Sequence, residues 1–156
     1  MDKRIILLII LLLIAVNAKK KKAMDIPTLR TILLNAGFPA ATINLFIAQC
    51  LFESPGLQSP VAIANNNLTG IKYNSISPKG YANSTPGTIS SEGDPYAKFT
   101  TYADWAKCYH AFMYHAGTLT ATNADDFARK LKAAAYFQSD ETQYANGMKR
   151  YLQQLA

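Results

Sequence analysis

Residues 43–56 of the chain read INLFIAQCLFESPG, and this stretch decides how the surrounding sequence folds. Its apolar side chains recur at the i, i+3, i+4, i+7, i+8 spacing of one helix face: Ile43, Phe46, Ile47, Cys50 and Leu51. Pro55 disfavours the helical conformation at Ser54, so the helix is predicted to end at Glu53. The stretch therefore predicts a buried helix with a carboxylate in its last turn.

The predicted surroundings of Glu53 favour a protonated carboxyl group. The negative end of the helix dipole disfavours an ionised Glu53. The apolar neighbours Leu51 and Phe52 exclude water from its carboxyl group. A carboxylic acid that stays protonated near neutral pH is what a general acid requires. Position alone favours the simpler interpretation, a solvated glutamate at a helix end, so the choice depends on the residues that follow.

The first 18 residues differ in character from the rest. Lys3 and Arg4 precede an apolar run at residues 5–16, which suits a signal peptide and is shorter than the roughly 18 residues of a clear membrane span. The four lysines at 19–22, directly after the apolar run, hinder their own translocation, so a retained membrane anchor stays open. The expected organisation is a signal peptide or anchor (1–18), a basic linker (19–24) and one folded domain (25–156).

Charge and composition narrow the classes of partner. The formal net charge is +6, and four of the positive charges lie in the lysine run, so the folded part is nearly balanced. The excess suits an anionic polymer such as the bacterial wall, and no basic-aromatic stripe indicates nucleic acid. Cys50 and Cys108 are expected to be buried thiols, with a disulfide as the alternative. His110 and His115 have no further ligands at metal-binding spacing, so we predict neither a metal nor another cofactor.

The rest of the chain reads as helices around a small β-lobe. Helices are predicted at about residues 26–35, 40–53, 101–116, 123–135 and 139–155. Residues 54–98 lose helical periodicity. They contain the β-like pieces Leu68–Tyr73 and Tyr96–Phe99, next to a turn-prone segment at 90–95. The expected fold class is α+β, mainly helical, with a cleft beside the β-lobe.

Two segments carry a family resemblance. Residues 48–59, AQCLFESPGLQS, and residues 66–73, NNLTGIKY, resemble the glucosaminidase domain of glycoside hydrolase family 73, a branch of the lysozyme-like superfamily. The family patterns are Glu-Ser-Gly-Trp-Gly-x-Ser and Asn-Asn-Leu-Phe-Gly-Ile-Lys. Tyr136 and Tyr144 resemble tyrosines of the family's closing segment, so the resemblance covers about residues 25–155.

The sequence departs from the family at several positions near the expected acid. Pro55 and Gly56 stand where Gly-Trp is usual, and Leu57 replaces the second glycine of that turn. Thr69 replaces the usual Phe, and Ala135 replaces the Gly before the tyrosine of the closing segment. None of these changes removes a candidate catalytic group.

The resemblance implies a lysozyme-like peptidoglycan hydrolase of the N-acetylglucosaminidase type, with Glu53 as the general acid. Such an enzyme, an autolysin or a phage lysin, acts outside the cytoplasmic membrane. We therefore expect it to be exported to the periplasm or cell surface, or anchored through residues 5–16, and to be virion-associated if the chain is of phage origin. Glu92 is the favoured base or stabilising carboxylate, Asp94 is the alternative, and the substrate's acetamido group can replace both.

Six further residues are candidates for substrate binding or for support of the acid. Tyr136 and Tyr144 offer aromatic faces and hydroxyl groups to sugars. Gln49 lies one turn before Glu53 and is placed to orient it. The remaining three are Ser54, Asn67 and Tyr73. Asn67 is expected to be structural first and to contact substrate second, and Tyr73 is expected to continue a strand along the cleft.

Three other functions stay open from the sequence. A lytic transglycosylase needs one acid and no water nucleophile, so an uncertain second carboxylate permits it. A non-catalytic glycan-binding or virion structural protein could retain the same fold. A small membrane-active protein would act through residues 5–22.

Overall fold

The helix that ends at Glu53 is buried almost all round in the computed structural model of the chain, which describes residues 24–76 and 84–156. In chain order the helices are α1 (Ile26–Asn35), α2 (Ile43–Glu53), α3 (Pro60–Asn65), α4 (Tyr73–Ile76), α5 (Tyr102–His115), α6 (Ala124–Ala133) and α7 (Glu141–Leu155). Strands β1 (Ser84–Ile89) and β2 (Pro95–Phe99) pair as an antiparallel hairpin between α4 and α5. The expected α+β class, mainly helical with a small β-lobe, is confirmed.

Helix α2 is the centre of the packing. The predicted apolar face is buried, and Leu45, Ala48 and Gln49 on its other sides are buried as well. Helix α7 packs along α2, and α6 packs along α7. Gly147 of α7 permits this approach, because a Cβ at that position would lie 2.3 Å from the ring of Phe52.

The predicted helix starts agree with the capping contacts. Four side chains accept a hydrogen bond from a backbone N–H three residues on: Asp25, Thr101, Asn123 and Asp140. Each such cap is worth about 1 kcal/mol to its helix. The last helix begins at Glu141, two residues later than the predicted start at 139.

The prediction that residues 54–98 lack helix is wrong for α3. The Ser59 hydroxyl accepts a hydrogen bond from the N–H of Ala62 at 3.1 Å, and Pro60 occupies the first helical position. Asn66 ends the helix in the left-handed conformation, at φ 49°. A Ser-Pro start and an Asn stop enclose only six residues, too few for helical periodicity to be visible.

The predicted strand Leu68–Tyr73 is also wrong. Only Lys72 pairs there, in an isolated antiparallel bridge with Tyr96, and Tyr73 begins α4 instead of continuing a strand. Gly70 turns the backbone at φ 63°, which interrupts an extended run. The apolar residues Leu68 and Ile71 are buried within a loop.

The β-hairpin contains the predicted strand Tyr96–Phe99, which begins one residue earlier in β2, and the predicted turn before it. Ser84 pairs with Phe99 and Ile89 with Pro95, and the register shifts between Pro86 and Ile89. Within the turn, the N–H of Ser90 donates to the carbonyl of Asp94 at 2.9 Å. This turn holds residues 91 and 92 at the tip of the β-lobe.

The β-lobe is attached to the helical part through α3. The Asn65 amide donates to the Thr88 hydroxyl at 2.6 Å and accepts from the Thr88 N–H at 3.3 Å. Gly87 is required there, since a Cβ would lie 2.3 Å from the Asn65 oxygen. Hairpin and helix therefore form one continuous wall.

A single apolar cluster unites the helices. Its largest buried side chains are Trp105, Tyr109, Phe46, Phe99 and Phe127. Cys50 and Cys108 belong to it as buried thiols. Within residues 24–76 and 84–156, no helix has the length and apolarity needed to cross a membrane. The predicted signal or anchor segment (1–18) and the lysine run lie outside the described residues.

Candidate active site

Glu53 lies at the C-terminal end of α2 and lines a cleft of about 1070 Å³. Its carboxyl group is partly buried, and the Tyr144 hydroxyl donates a hydrogen bond to Oε1 at 2.5 Å. Burial raises the pKa of Glu53, and the hydrogen bond from Tyr144 opposes part of that rise. The environment therefore favours a protonated carboxyl group that faces a cavity of saccharide size.

The wall of the cleft next to the hairpin carries charge. Lys72 and Glu92 both line the cleft and form an ion pair, with 3.2 Å between Nζ and Oε2. The Lys72 ammonium also lies over the ring of Tyr96, 4.3 Å from its centroid. Glu92 is 74% exposed, in contrast to Glu53. Two carboxyl groups in opposite environments thus share one cleft.

Asp94, the alternative to Glu92, has a different position. Its carboxylate accepts a hydrogen bond from the Asn74 amide at 3.2 Å, and both side chains are exposed. Asp94 is not among the residues that line the cleft. Geometry therefore favours Glu92 as the second acidic group.

Tyr136 lines the cleft on its helical side. Its hydroxyl donates to the backbone carbonyl of Thr69 at 3.0 Å, which ties the segment after α6 to the loop before the β-lobe. Burial, and then the charge of Glu53, raise the pKa of the Tyr136 phenol, so it stays neutral. Its ring is available to a sugar, and its hydroxyl proton is already engaged.

Two departures from the family pattern retain the backbone that glycine would adopt. Leu57 and Ala135 stand where the family usually has glycine, and both have φ 55°. The left-handed conformation costs a residue with a Cβ about 1–2 kcal/mol. The protein accepts this strain in the turn after Glu53 and in the residue before Tyr136, so both positions have a backbone conformation that suits glycine.

The other residues predicted for the site occupy three kinds of position. Gln49 and Tyr144 are buried behind Glu53, and the Gln49 amide donates to the Tyr144 hydroxyl at 3.1 Å. Ser54 is buried, and its hydroxyl bonds to that of Ser59 at 3.1 Å, which fixes the turn after Glu53. Tyr73 is half-buried at the start of α4 and is not among the cleft-lining residues.

Asn67 lies at the edge of the cleft, but its amide is used inside the protein. Its nitrogen donates to the carbonyls of Ile71 and Ala97, both at 2.9 Å, and its oxygen accepts from the Ile71 N–H at 3.1 Å. Only 1% of the residue is exposed. The side chain therefore joins the loop before the β-lobe to β2.

We expect Asn67→Leu to lower the free energy of unfolding by about 3–5 kcal/mol, because it leaves buried backbone groups without their partner. Chemical denaturation of the purified variant measures this loss. Asn74→Ala, at an exposed amide in the same lobe, is the control and should cost under about 0.5 kcal/mol. An Asn67→Leu protein as stable as the control but poor in substrate affinity would instead assign Asn67 to binding.

Sequence reasoning missed several residues of the site. Phe112 and His115 line the cleft from the end of α5, and Phe137 lines it after α6. The Phe137 ring stacks on Tyr144 with centroids 4.0 Å apart. Phe112 falls in the helix predicted at about residues 101–116, but apolar residues on such a helix are equally expected in a core. Across the described ranges, no three His, Cys, Asp or Glu side chains group together as a metal site requires.

Comparison with known proteins identifies the family. The family model for Glucosaminidase, described as mannosyl-glycoprotein endo-beta-N-acetylglucosaminidase, matches residues 35–156. No curated protein and no solved structure gives a significant match. The matched region begins at the end of α1 and includes Glu53, the β-lobe and both tyrosines of the closing segment. The chain therefore belongs to the glucosaminidase family, glycoside hydrolase family 73.

Proposed function

We propose that this protein hydrolyses β-1,4 glycosidic bonds of peptidoglycan, between N-acetylglucosamine and N-acetylmuramic acid, with Glu53 as the general acid. Family membership supports a hydrolase of the N-acetylglucosaminidase type that acts on a glycan. The observation that carries the assignment is Glu53 itself. A carboxyl group whose pKa burial raises lines a cleft large enough for a saccharide.

Glu53 would protonate the oxygen of the leaving sugar as the glycosidic bond breaks. The sugar left behind develops oxocarbenium character and needs a carboxylate, or its own acetamido oxygen, on the other side. Glu92 supports the first route, because its exposed carboxylate lines the same cleft. Aromatic rings in the cleft, those of Tyr96, Phe112 and Tyr136, suit stacking against sugar faces.

The cellular site of action follows from the substrate. Peptidoglycan lies outside the cytoplasmic membrane, so we infer that the enzyme is exported or remains anchored through residues 5–16. The apolar run and the basic residues before it support either route. Cell fractionation, with mass analysis of the N-terminus of the recovered protein, distinguishes a cleaved signal peptide from a retained anchor.

Product analysis tests the proposed reaction. We expect digestion of purified peptidoglycan, followed by borohydride reduction, to convert N-acetylglucosamine at new chain ends to its alcohol, because hydrolysis leaves that sugar reducing. Reduced N-acetylmuramic acid would indicate the neighbouring bond. A lytic transglycosylase leaves an anhydro end, lighter by one water. Binding without any new chain end would contradict an enzymatic function.

A further inference from the structure

Three buried side chains behind Glu53 form a chain of hydrogen bonds that begins on α5. The Tyr109 hydroxyl donates to Oε1 of Gln49, and Nε2 of Gln49 donates to the Tyr144 hydroxyl at 3.1 Å. Tyr144 in turn donates to Oε1 of Glu53 at 2.5 Å. Tyr109 and Gln49 are fully buried, and only 4% of Tyr144 is exposed. The chain thus connects the acid to the core without contacting the cleft before Glu53.

The chain has a direction because its middle member is an amide. An amide accepts only at its oxygen and donates only at its nitrogen, whereas a phenol can do both. Tyr109 donates to the Gln49 oxygen, which leaves the Gln49 nitrogen to face Tyr144. The Tyr144 oxygen already accepts from Gln49, so its single proton points to Glu53. As long as Tyr109 donates to the Gln49 oxygen, the Tyr144 hydroxyl therefore donates to Glu53.

The direction has a consequence for the acid. Because Oε1 of Glu53 accepts from Tyr144, a proton on that oxygen would oppose an incoming donor. We propose that Tyr109 and Gln49 are positioning residues: they keep Tyr144 donating to Oε1, so that Glu53 carries its acidic proton on Oε2. This inference rests on the proposed role of Glu53 as general acid and adds how its proton is placed.

The far end of the chain is held firmly. The Tyr109 ring stacks on Trp105, with centroids 5.2 Å apart and planes at 11°. Phe38 packs on the same ring at 5.0 Å. The Trp105 nitrogen donates to the Thr69 hydroxyl at 3.1 Å, and Tyr136 bonds to the carbonyl of the same threonine. Rigid aromatic packing fixes the hydroxyl that orients Gln49.

The titratable groups around Glu53 come from several parts of the fold. Those in electrostatic contact with it are Cys50 on α2, Tyr109 on α5, Tyr136 after α6 and Tyr144 on α7. Burial raises the pKa of all four groups, so they stay neutral. Besides Tyr136, the titratable groups that share the cleft with Glu53 are Lys72, Glu92, His115 and Tyr96. The Tyr144 bond is thus the neutral contact that acts directly on the acid.

The test is Tyr109→Phe, which removes the hydroxyl and keeps the ring. Without this hydroxyl, the Gln49 amide can turn its oxygen toward Tyr144. Gln49 then accepts the hydrogen bond that Tyr144 otherwise donates to Glu53. The ionised form of Glu53 then loses a donor, so its pKa rises and the alkaline limb of kcat/KM moves to higher pH. We expect kcat to fall by roughly tenfold, because the proton of the acid is no longer confined to Oε2.

The control variants distinguish an effect of hydrogen-bond direction from an effect of side-chain packing around Tyr109. Tyr102→Phe removes another α5 hydroxyl beside Trp105, outside the chain, and should change neither the limb nor kcat. Adding Gln49→Met to Tyr109→Phe should move the limb back toward wild type, because Met offers Tyr144 no competing carbonyl. His115→Gln shows whether the limb belongs instead to the cleft histidine.

Two readouts keep this inference distinct from the proposed function. A carbon NMR titration of the Glu53 carboxyl group, in wild type and Tyr109→Phe, reports the shift even without turnover, and equal midpoints would overturn the inference. So would a double variant that behaves like Tyr109→Phe alone. If wild type cleaves no glycan but the titration midpoint of Glu53 still differs between the two proteins, the inferred role of the hydrogen bonds is supported and the proposed function is contradicted.

Discussion

Glu53→Gln is expected to lower the rate of glycan cleavage by at least about 10³-fold at the pH optimum, since an amide cannot supply the proton that the leaving oxygen needs. KM should change little, because Gln has nearly the same shape and its oxygen can still accept from Tyr144. Release of soluble fragments from purified peptidoglycan, at several substrate concentrations, measures both quantities.

The same substitution should change stability in a pH-dependent way. Burial raises the folded-state pKa of Glu53 above its unfolded value, so the folded protein holds the proton more tightly. Wild type is therefore relatively most stable below the unfolded pKa and loses this contribution as pH rises through the folded pKa. Glu53→Gln has no such loss. Its melting temperature should exceed that of wild type at neutral pH, and the difference should shrink in acid.

Glu141→Gln is the matched control for both measurements. Glu141 lies in the first turn of α7, where a negative charge favours the helix, and it is not among the residues that line the cleft. Its replacement should leave cleavage intact and should lower stability slightly at neutral pH, the opposite sign to Glu53→Gln. Retention of more than a tenth of wild-type activity by Glu53→Gln would assign the acid to another residue.

The sequence was most informative where short-range rules act. The spacing from Ile43 to Leu51 and the Ser54-Pro55 stop located both the central helix and its terminal carboxyl group. The capping residues Asp25, Thr101 and Asn123 likewise mark the starts of α1, α5 and α6. These features depend on residues within one or two turns of each other, so they can be seen without the fold.

The sequence failed where a residue's role depends on a distant partner. Gln49 and Tyr144 are 95 residues apart, and no local pattern shows that they share a buried hydrogen bond. The sequence predicts that Tyr144 contacts sugars and that Gln49 orients Glu53; both side chains are buried behind Glu53, where Tyr144 donates to the acid and Gln49 donates to Tyr144. Likewise, the amide of Asn67 could be assigned to β2 only once Ala97 was known to lie beside it.

Glu92→Gln is expected to lower kcat by about 10²-fold with a smaller effect on KM, since a carboxylate that serves as base or stabiliser is needed after substrate has bound. Asp94→Asn is the matched control from the same turn, outside the cleft lining, and should stay within about threefold of wild type. Initial rates on peptidoglycan at saturating concentration measure both variants.

The effect of losing the Lys72–Glu92 ion pair must be distinguished from the effect of losing the Glu92 carboxylate. Lys72→Gln breaks the contact with Glu92 but keeps the acid, so a loss specific to Glu92→Gln reports the carboxylate itself. Peptidoglycan from which the acetyl groups have been removed supplies the remaining comparison. If Glu92→Gln is harmless on intact substrate while wild type fails on the deacetylated one, the acetamido oxygen is the nucleophile. In that case Glu92 serves only to hold Lys72 over Tyr96, and Glu53 is the one catalytic carboxyl group of the cleft.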